Sequence, residues 1–300
     1  MFAKGRSPLA GTICLAYVLA LAGCAASPQI RSRAEYSGPI IDLHTHLRLG
    51  DQDGASPEQP VGTEQLRALE AQIFASHAGV IVIAPKGDLA ETRVRNDGVL
   101  AAARASNGFF FPIASVHPDD GAAALEELDR VAKLGVRMIK LHPNTQAFDV
   151  ASPEVANVVQ HTADLGMVVL FDGFSPFDAN ETGKFLKLAV THPNARLVLA
   201  HLGGIRFHEM AMFGIARKFA WYPRNVWFDI SATAPFFADS PYREQLVWVI
   251  RSVGTDRVLF GSDWPVDEPA RAAAAVRALG LSDAEQRQIF YSNARALLAL

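Results

Sequence analysis

Thiols are nearly missing from this chain. Among its 300 residues only Cys14 and Cys24 are cysteine, and both stand near the start. From Ala25 onward no disulfide can form and no thiolate can bind a metal, so a metal site there must use His, Asp, Glu or Lys. Strong charge is also missing: the formal net charge is -3 and no Lys/Arg-rich run occurs. That removes the electrostatic footprint of a nucleic-acid partner. No apolar run reaches the roughly 20 residues that a membrane-spanning helix needs. No internal repeat is visible, and the one biased stretch is the alanine-rich Ala270–Ala278. What is present, 50% hydrophobic and 20% charged residues, suits one large globular core. An α/β barrel of about 250 residues is normally a single domain.

Lys4 and Arg6 precede the apolar Leu9–Ala22, which runs into Leu21-Ala22-Gly23-Cys24. A short positive region, a signal-length apolar run and small residues before a cysteine resemble a bacterial lipoprotein signal. The expectation is a signal peptide over 1–23, a lipidated Cys24, and a polar tether through residue 38 that leads into one domain over 39–300. With no Asp after Cys24, the anchor is expected on the periplasmic side of the outer membrane. An ordinary signal peptide or an uncleaved anchor is the alternative.

From Pro39 onward, short apolar runs alternate with helical patterns, the rhythm of βα units around a parallel sheet. Strands are predicted at Ile40–His44, Val80–Ala84, Phe109–Val116, Val136–Leu141, Met167–Phe171, Arg196–Ala200, Val226–Ile230 and Arg257–Phe260. Their continuous apolar character fits strands covered on both faces. Helices are predicted at Thr63–Ala78, Asn96–Ala105, Asp120–Leu134, Pro153–Leu165, Glu181–His192, Phe207–Phe219 and Tyr242–Val253, with more in the tail. Ser282-Asp283-Ala284-Glu285 reads as a capping box. Eight such units predict a TIM-like (β/α)₈ barrel, with a doubly wound open sheet as the alternative.

The placement of polar residues favours the barrel, whose sites lie where many strands end together. His44 and His46, His117, His142, Asp172, His201 and Asp263 all fall at or just beyond predicted strand ends. His77, His161, His192 and His208 fall in predicted helices or at their ends and read as ordinary surface residues. Residues two apart on a strand share a face, so His44 and His46 can bind one ion, and Lys140 points with His142. Asp263 follows Gly261 and Ser262, which permit close approach, and can ligate a metal and take a proton from bound water. His201, before Gly203-Gly204, suits a ligand, an acid or a carbonyl polariser. Lys140 could contact a substrate carboxylate, bridge two metals if carboxylated, or pair with Asp172 or Asp263. Imidazole and carboxylate ligands without thiolate suit Zn²⁺, with Mn²⁺ or Fe²⁺ next.

These motifs together resemble the amidohydrolase superfamily, and within it the amidohydrolase-2 branch of metal-dependent hydrolases and decarboxylases. The matching stretches are Ile41-Asp42-Leu43-His44-Thr45-His46, Ile139-Lys140-Leu141-His142-Pro143, Leu199-Ala200-His201-Leu202-Gly203-Gly204, Asn225–Ser231, Phe260-Gly261-Ser262-Asp263-Trp264-Pro265 and Asn293–Leu298. The resemblance implies a distorted (β/α)₈ barrel, metal on His44, His46 and Asp263, and an acid, base or polarising role for His201. Relatives place a histidine ligand at the end of strand five, where this chain has Asp172. An oxygen ligand there would give a harder, more anionic site; an altered or lost metal is the other outcome.

The expected activity is hydrolysis of an ester, lactone or amide in a small, possibly carboxylated substrate. Water activated by metal on His44, His46, Asp263 and Asp172 would attack, Asp263 would take its proton, and His201 or Lys140 would steady the oxyanion. His142, Arg48, Lys86, Arg206 and Trp264 are candidate substrate contacts, with Phe174 and Phe236 beside them. The alternatives are non-oxidative decarboxylation at the same site and a catalytically silent binding lipoprotein.

Overall fold

The computed structural model describes residues 36–47 and 62–300. The expected signal segment, Cys24, most of the tether and Arg48 lie outside the described residues. Eight parallel strands form one sheet in sequential order. They are β1 (Ile40–His46), β2 (Ala75–Ile81), β3 (Phe110–Ser115), β4 (Met138–Leu141), β5 (Val168–Phe171), β6 (Arg196–Leu199), β7 (Val226–Asp229) and β8 (Val258–Leu259). Between them run α1 (Thr63–Gln72), α2 (Leu89–Ala105), α3 (Ala122–Lys133), α4 (Pro143–Gln146), α5 (Pro153–Asp164), α6 (Glu181–Thr191), α7 (Ala211–Ala216), α8 (Thr233–Phe237) and α9 (Arg243–Val253). After β8 come α10 (Pro269–Ala278), α11 (Asp283–Arg287) and α12 (Asn293–Leu298).

The residues around and after β8 close the sheet against β1. Leu43 N donates to Phe260 O at 3.0 Å, Asp263 N to His44 O at 2.7 Å, and His46 N to Trp264 O at 2.7 Å. The result is the expected (β/α)₈ barrel; the sequential strand order excludes the doubly wound sheet, whose order reverses. Ile41, Leu43, Ile113, Met138, Leu170 and Val198 fill its interior. A second apolar layer, with Ile139, Val169, Leu197 and Phe228 on its strand side, packs against the helices. Burial on both faces explains why the strands read as unbroken apolar runs. No helix among the described residues is long and apolar enough to cross a membrane.

β1 departs from simple alternation. Its register against β2 shifts between Asp42 and Thr45. Leu43 packs in the barrel interior, yet the next residue, His44, also reaches inward, to Lys140 of β4 and Asp229 of β7. A bulge of this kind re-aims a side chain at the cost of one ladder bond.

Several boundaries differ from the sequence reading. The helix expected over Thr63–Ala78 stops at Gln72; Phe74, at φ +58°, turns the chain, and Ala75–Ala78 join β2. Pairing with Ile40 and Ile41, helped by Ser76 Oγ donating to Ile40 O at 3.1 Å, overrides helical spacing there. His77 is therefore a strand residue. α2 begins at Leu89 rather than Asn96 because the Asp88 carboxylate accepts from Glu91 N at 2.8 Å. The helix expected over Phe207–Phe219 is α-helical only over α7; before it, Ala200–Met210 is kinked, with non-helical dihedrals at His201, Leu202, Gly203, Gly204 and Arg206. The capping box at Ser282 and Glu285 forms as expected.

Candidate active site

Where β1 ends, the segment beyond β8 meets it, and three ligand atoms converge. His44 Nε2 lies 3.2 Å from His46 Nε2 and 3.3 Å from Asp263 Oδ1, and His46 Nε2 lies 3.4 Å from that oxygen. Gly261 makes this approach possible: a Cβ there would stand 2.7 Å from His44 Cβ. Asp229, fully buried at the end of β7, accepts from His44 Nδ1 at 2.9 Å. The ring proton is thereby placed on Nδ1, and the Nε2 lone pair faces His46, Asp263 and Lys140 Nζ, the last at 3.2 Å. Burial and the Lys140 charge bring His44 down to about 4, against the pull of Asp229 and Asp263. Burial pushes Asp263 up, but the His44 and His46 imidazoles outweigh it and hold the carboxyl at about 2. At neutral pH the centre is a neutral imidazole beside an ionised carboxylate.

Lone pairs crowded this closely repel one another unless a proton or cation lies between them. Atoms bonded at about 2.0–2.2 Å to a single divalent ion stand at such separations from each other. The residues present thus fit a metal. His201 joins the candidate ligands, since His44, His201 and Asp263 also offer ligand atoms within 4.8 Å of one another.

Histidine and aspartate meet differently at the ends of β4, β5 and β6. Asp172 Oδ2 lies 3.2 Å from His201 Nε2 and 3.4 Å from His142 Nε2. His201 Nδ1 faces Ser231 Oγ at 3.0 Å. Burial alone would lower His201, but the Asp172 hydrogen bond and charge outweigh it and bring the imidazole up to about 9. Burial would raise Asp172; His201, Lys140 and His142 instead hold it well below the carboxylate range. This is an imidazolium–carboxylate pair. His142, with no such hydrogen bond, is carried down to about 4, chiefly by burial. Asp172, expected as a metal ligand, is engaged with these two rings. His201 and Leu202 hold positive φ, at 61° and 43°, a conformation uncommon for residues with a side chain. The two glycines that follow complete this turn and pack against Met210 and Phe174, rather than opening space for a ligand.

Other expected contacts lie apart from this centre. Trp264 is buried in an apolar cluster with Leu47, Leu66 and Val80, so it serves packing. Arg206 is bound to Glu209 and to the carbonyls of Asp178 and Ala179, a latch across loops. Lys86 is exposed and paired with Asp119 at 2.6 Å. His117 Nε2 donates to Gln146 O at 2.7 Å while Gln146 Nε2 donates to Ala84 O and Val116 O, a clamp among the ends of β2, β3 and β4. Phe174 packs on Gly204, and Phe236 is exposed.

Asp229 and Ser231 have no role in the sequence reading. The predicted strand ran through Ile230, which hid Asp229 inside it; an acid closing the apolar run Val226-Trp227-Phe228 was the available signal.

A family model described as Amidohydrolase matches residues 41–300. The gamma-resorcylate decarboxylase of Rhodococcus jostii (strain RHA1) is 31% identical over 119 residues, covering 36% of this chain and 35% of that protein. The match spans only about a third of that relative's length. Among solved structures, 5-carboxyvanillate decarboxylase from Sphingomonas paucimobilis is similar at 16% identity and a TM-score of 0.64, over 87% of this chain and 99% of that one. Dihydroxybenzoic acid decarboxylase from Polaromonas sp. JS666, solved with bound manganese and the inhibitor 2-nitroresorcinol, is similar at 16% identity and a TM-score of 0.66, over 88% and 97% of the two chains. At these identities the structural likeness is one of fold.

Proposed function

This chain belongs to the amidohydrolase family, and on that premise we propose that it is a metal-dependent decarboxylase of a small aromatic carboxylic acid. The observation that carries the reading is Lys140. Its side chain is buried, its Nζ lies 3.2 Å from His44 Nε2, and among the described residues it makes no ion pair. A buried lysine side chain that acts on Asp172 only at longer range, with no contact ion pair, is poorly compensated. A substrate carboxylate beside it supplies the missing anion and sets the scissile carbon bond next to His44, His46 and Asp263. Hydrolysis, the first expectation from the strand-end residues, becomes the alternative, because the named relatives are decarboxylases of aromatic acids. The manganese in the Polaromonas structure moves the expected ion from Zn²⁺ toward Mn²⁺.

Held by His44, His46 and Asp263, such an ion supplies Lewis-acid polarisation of substrate oxygens. The chain's own groups then act in sequence. Lys140 orients the carboxylate. As the bond between ring and carboxyl carbons breaks, its electron pair stays on the ring carbon, which takes the proton held on His201. Carbon dioxide leaves, and the imidazole regains a proton from solvent. Asp172 keeps His201 charged before each turnover, and Ser231 orients the ring.

The test is to offer the full-length, Mn²⁺-loaded protein mono- and dihydroxybenzoates labelled with ¹³C in the carboxyl group. Equal amounts of labelled carbon dioxide and decarboxylated arene are expected. Release of no carbon dioxide, together with turnover of lactones or esters, would return the site to hydrolysis.

A further inference from the structure

The bulge in β1 leaves the His44 amide turned away from the sheet ladder. One side-chain oxygen collects it. Asp42 Oδ1 accepts from His44 N at 3.1 Å and from Ser262 N at 2.9 Å. These two amides belong to one metal-ligand candidate, His44, and to the neighbour of another, Asp263. A single oxygen therefore ties the bulge of β1 to the segment beyond β8. Both ligand-bearing segments depend on how firmly that carboxylate is held.

Its other oxygen, Oδ2, is buried, and no ordinary donor of the described residues reaches it. Both oxygens of Glu70, on α1, are in the same position. Each of the two residues is 0% exposed. Three carboxyl oxygens without donors in a dry interior would carry a heavy desolvation penalty if both groups were ionised. The two side chains lie within hydrogen-bonding reach of each other, and burial followed by the Asp42 charge raises the Glu70 carboxyl far above the usual range. One proton between them pairs two of the three oxygens and leaves the third as a neutral carbonyl oxygen, which costs far less to bury than a charged one.

We propose that Glu70 is a positioning residue for the metal centre: as a neutral acid it donates to Asp42 Oδ2 and fixes the carboxylate that holds the His44 and Ser262 amides. It touches neither substrate nor metal and acts only through Asp42. The role rests on the reading of His44, His46 and Asp263 as ligands, whereas the shared proton does not. Glutamine can make the same bond through its amide N–H, and leucine cannot.

Two measurements on the full-length protein separate these points. Manganese affinity, read by calorimetry and by the Mn²⁺ electron paramagnetic resonance spectrum, is expected to stay within threefold of wild type in Glu70→Gln and to weaken at least tenfold in Glu70→Leu, the range that follows loss of an outer hydrogen bond to a ligand. Equal affinities in all three proteins, or equal losses in both variants, would overturn the proposal. Infrared difference spectroscopy is expected to show a buried protonated-carboxyl stretch in wild type that Glu70→Gln removes. That band needs neither the leucine variant to fold nor the wild type to bind manganese, and its absence from wild type overturns the shared proton. A wild type that carries the band yet binds no manganese would sink the metal reading, and the positioning role with it.

Discussion

The two halves of the barrel mouth use the same residue types to opposite effect. Around β1 and β8, His44, His46 and Asp263 bring ligand atoms within 3.2–3.4 Å of one another. Around β5 and β6, His201 and Asp172 stand just as close, at 3.2 Å, and form an ion pair. The difference lies in what occupies the far side of each ring. Asp229 accepts a hydrogen bond from His44 Nδ1–H, leaving Nε2 as an acceptor that faces His46, Asp263 and Lys140. His201 meets a hydroxyl at Nδ1, from Ser231, and presents N–H to a carboxylate at Nε2. On the proposed function, where the proton sits makes one half the candidate cation site and the other the proton donor.

The largest expected effect breaks the first half. His44→Ala or Asp263→Asn should weaken metal binding more than a hundredfold, measured by metal analysis after dialysis. Asp172→Asn should leave it within threefold; equal loss in Asp172→Asn would make both halves one ligand set, with Asp172 as the oxygen ligand once expected from its place at the end of strand five.

Breaking the second half should spare the metal and stop the proton. His201→Asn should lower kcat by about 10²–10⁴, the range for loss of a general acid, with metal content unchanged. A fall in KM-dependent binding alone would assign His201 to substrate recognition.

The third effect sharpens the comparison through pH. His201 is raised to about 9 by Asp172. Activity that needs the imidazolium should fall on the basic side near that value, and Asp172→Asn should move that limb toward acid. The stability of the pair follows the same charges. The raised His201 contributes fully below its ordinary 6.5 and loses that contribution as pH rises through about 9. The depressed Asp172 contributes fully above its ordinary 3.8 and loses it only in strong acid. Thermal unfolding across pH should therefore show the wild-type advantage over Asp172→Asn at its greatest between about 4 and 6.5, from these two shifts.

The smallest effect belongs to the rim. Lys86→Ala removes an exposed pair with Asp119 and should leave melting temperature and kcat/KM unchanged within error, since exposed ion pairs contribute little. A clear rise in KM would restore Lys86 as a substrate contact.

Strand ends were legible because a barrel strand is a short apolar run with a polar residue where it leaves the sheet. That pattern located His44, His46, His142, Asp172, His201 and Asp263 before any fold was known. It failed at Asp229, where the apolar run continued one residue past the acid. It also failed at Trp264, whose place beside Asp263 suggested the mouth although its ring packs outside the strands. Glu70 gave no signal at all; an acid in an amphipathic helix reads as solvated until the helix is docked.

By itself the sequence determined the barrel and the residue types at its mouth, because strand and helix periods and the punctuation between them are local properties. Only the tertiary structure decided which histidine is an acceptor and which a cation. That choice depends on the carboxylate each ring meets, and those partners are remote in the chain: Asp229 lies 185 residues from His44, and Asp172 lies 29 from His201. Hydrogen bonds between such distant residues are set by barrel closure and by a one-residue bulge in β1, which no periodicity in the sequence announces.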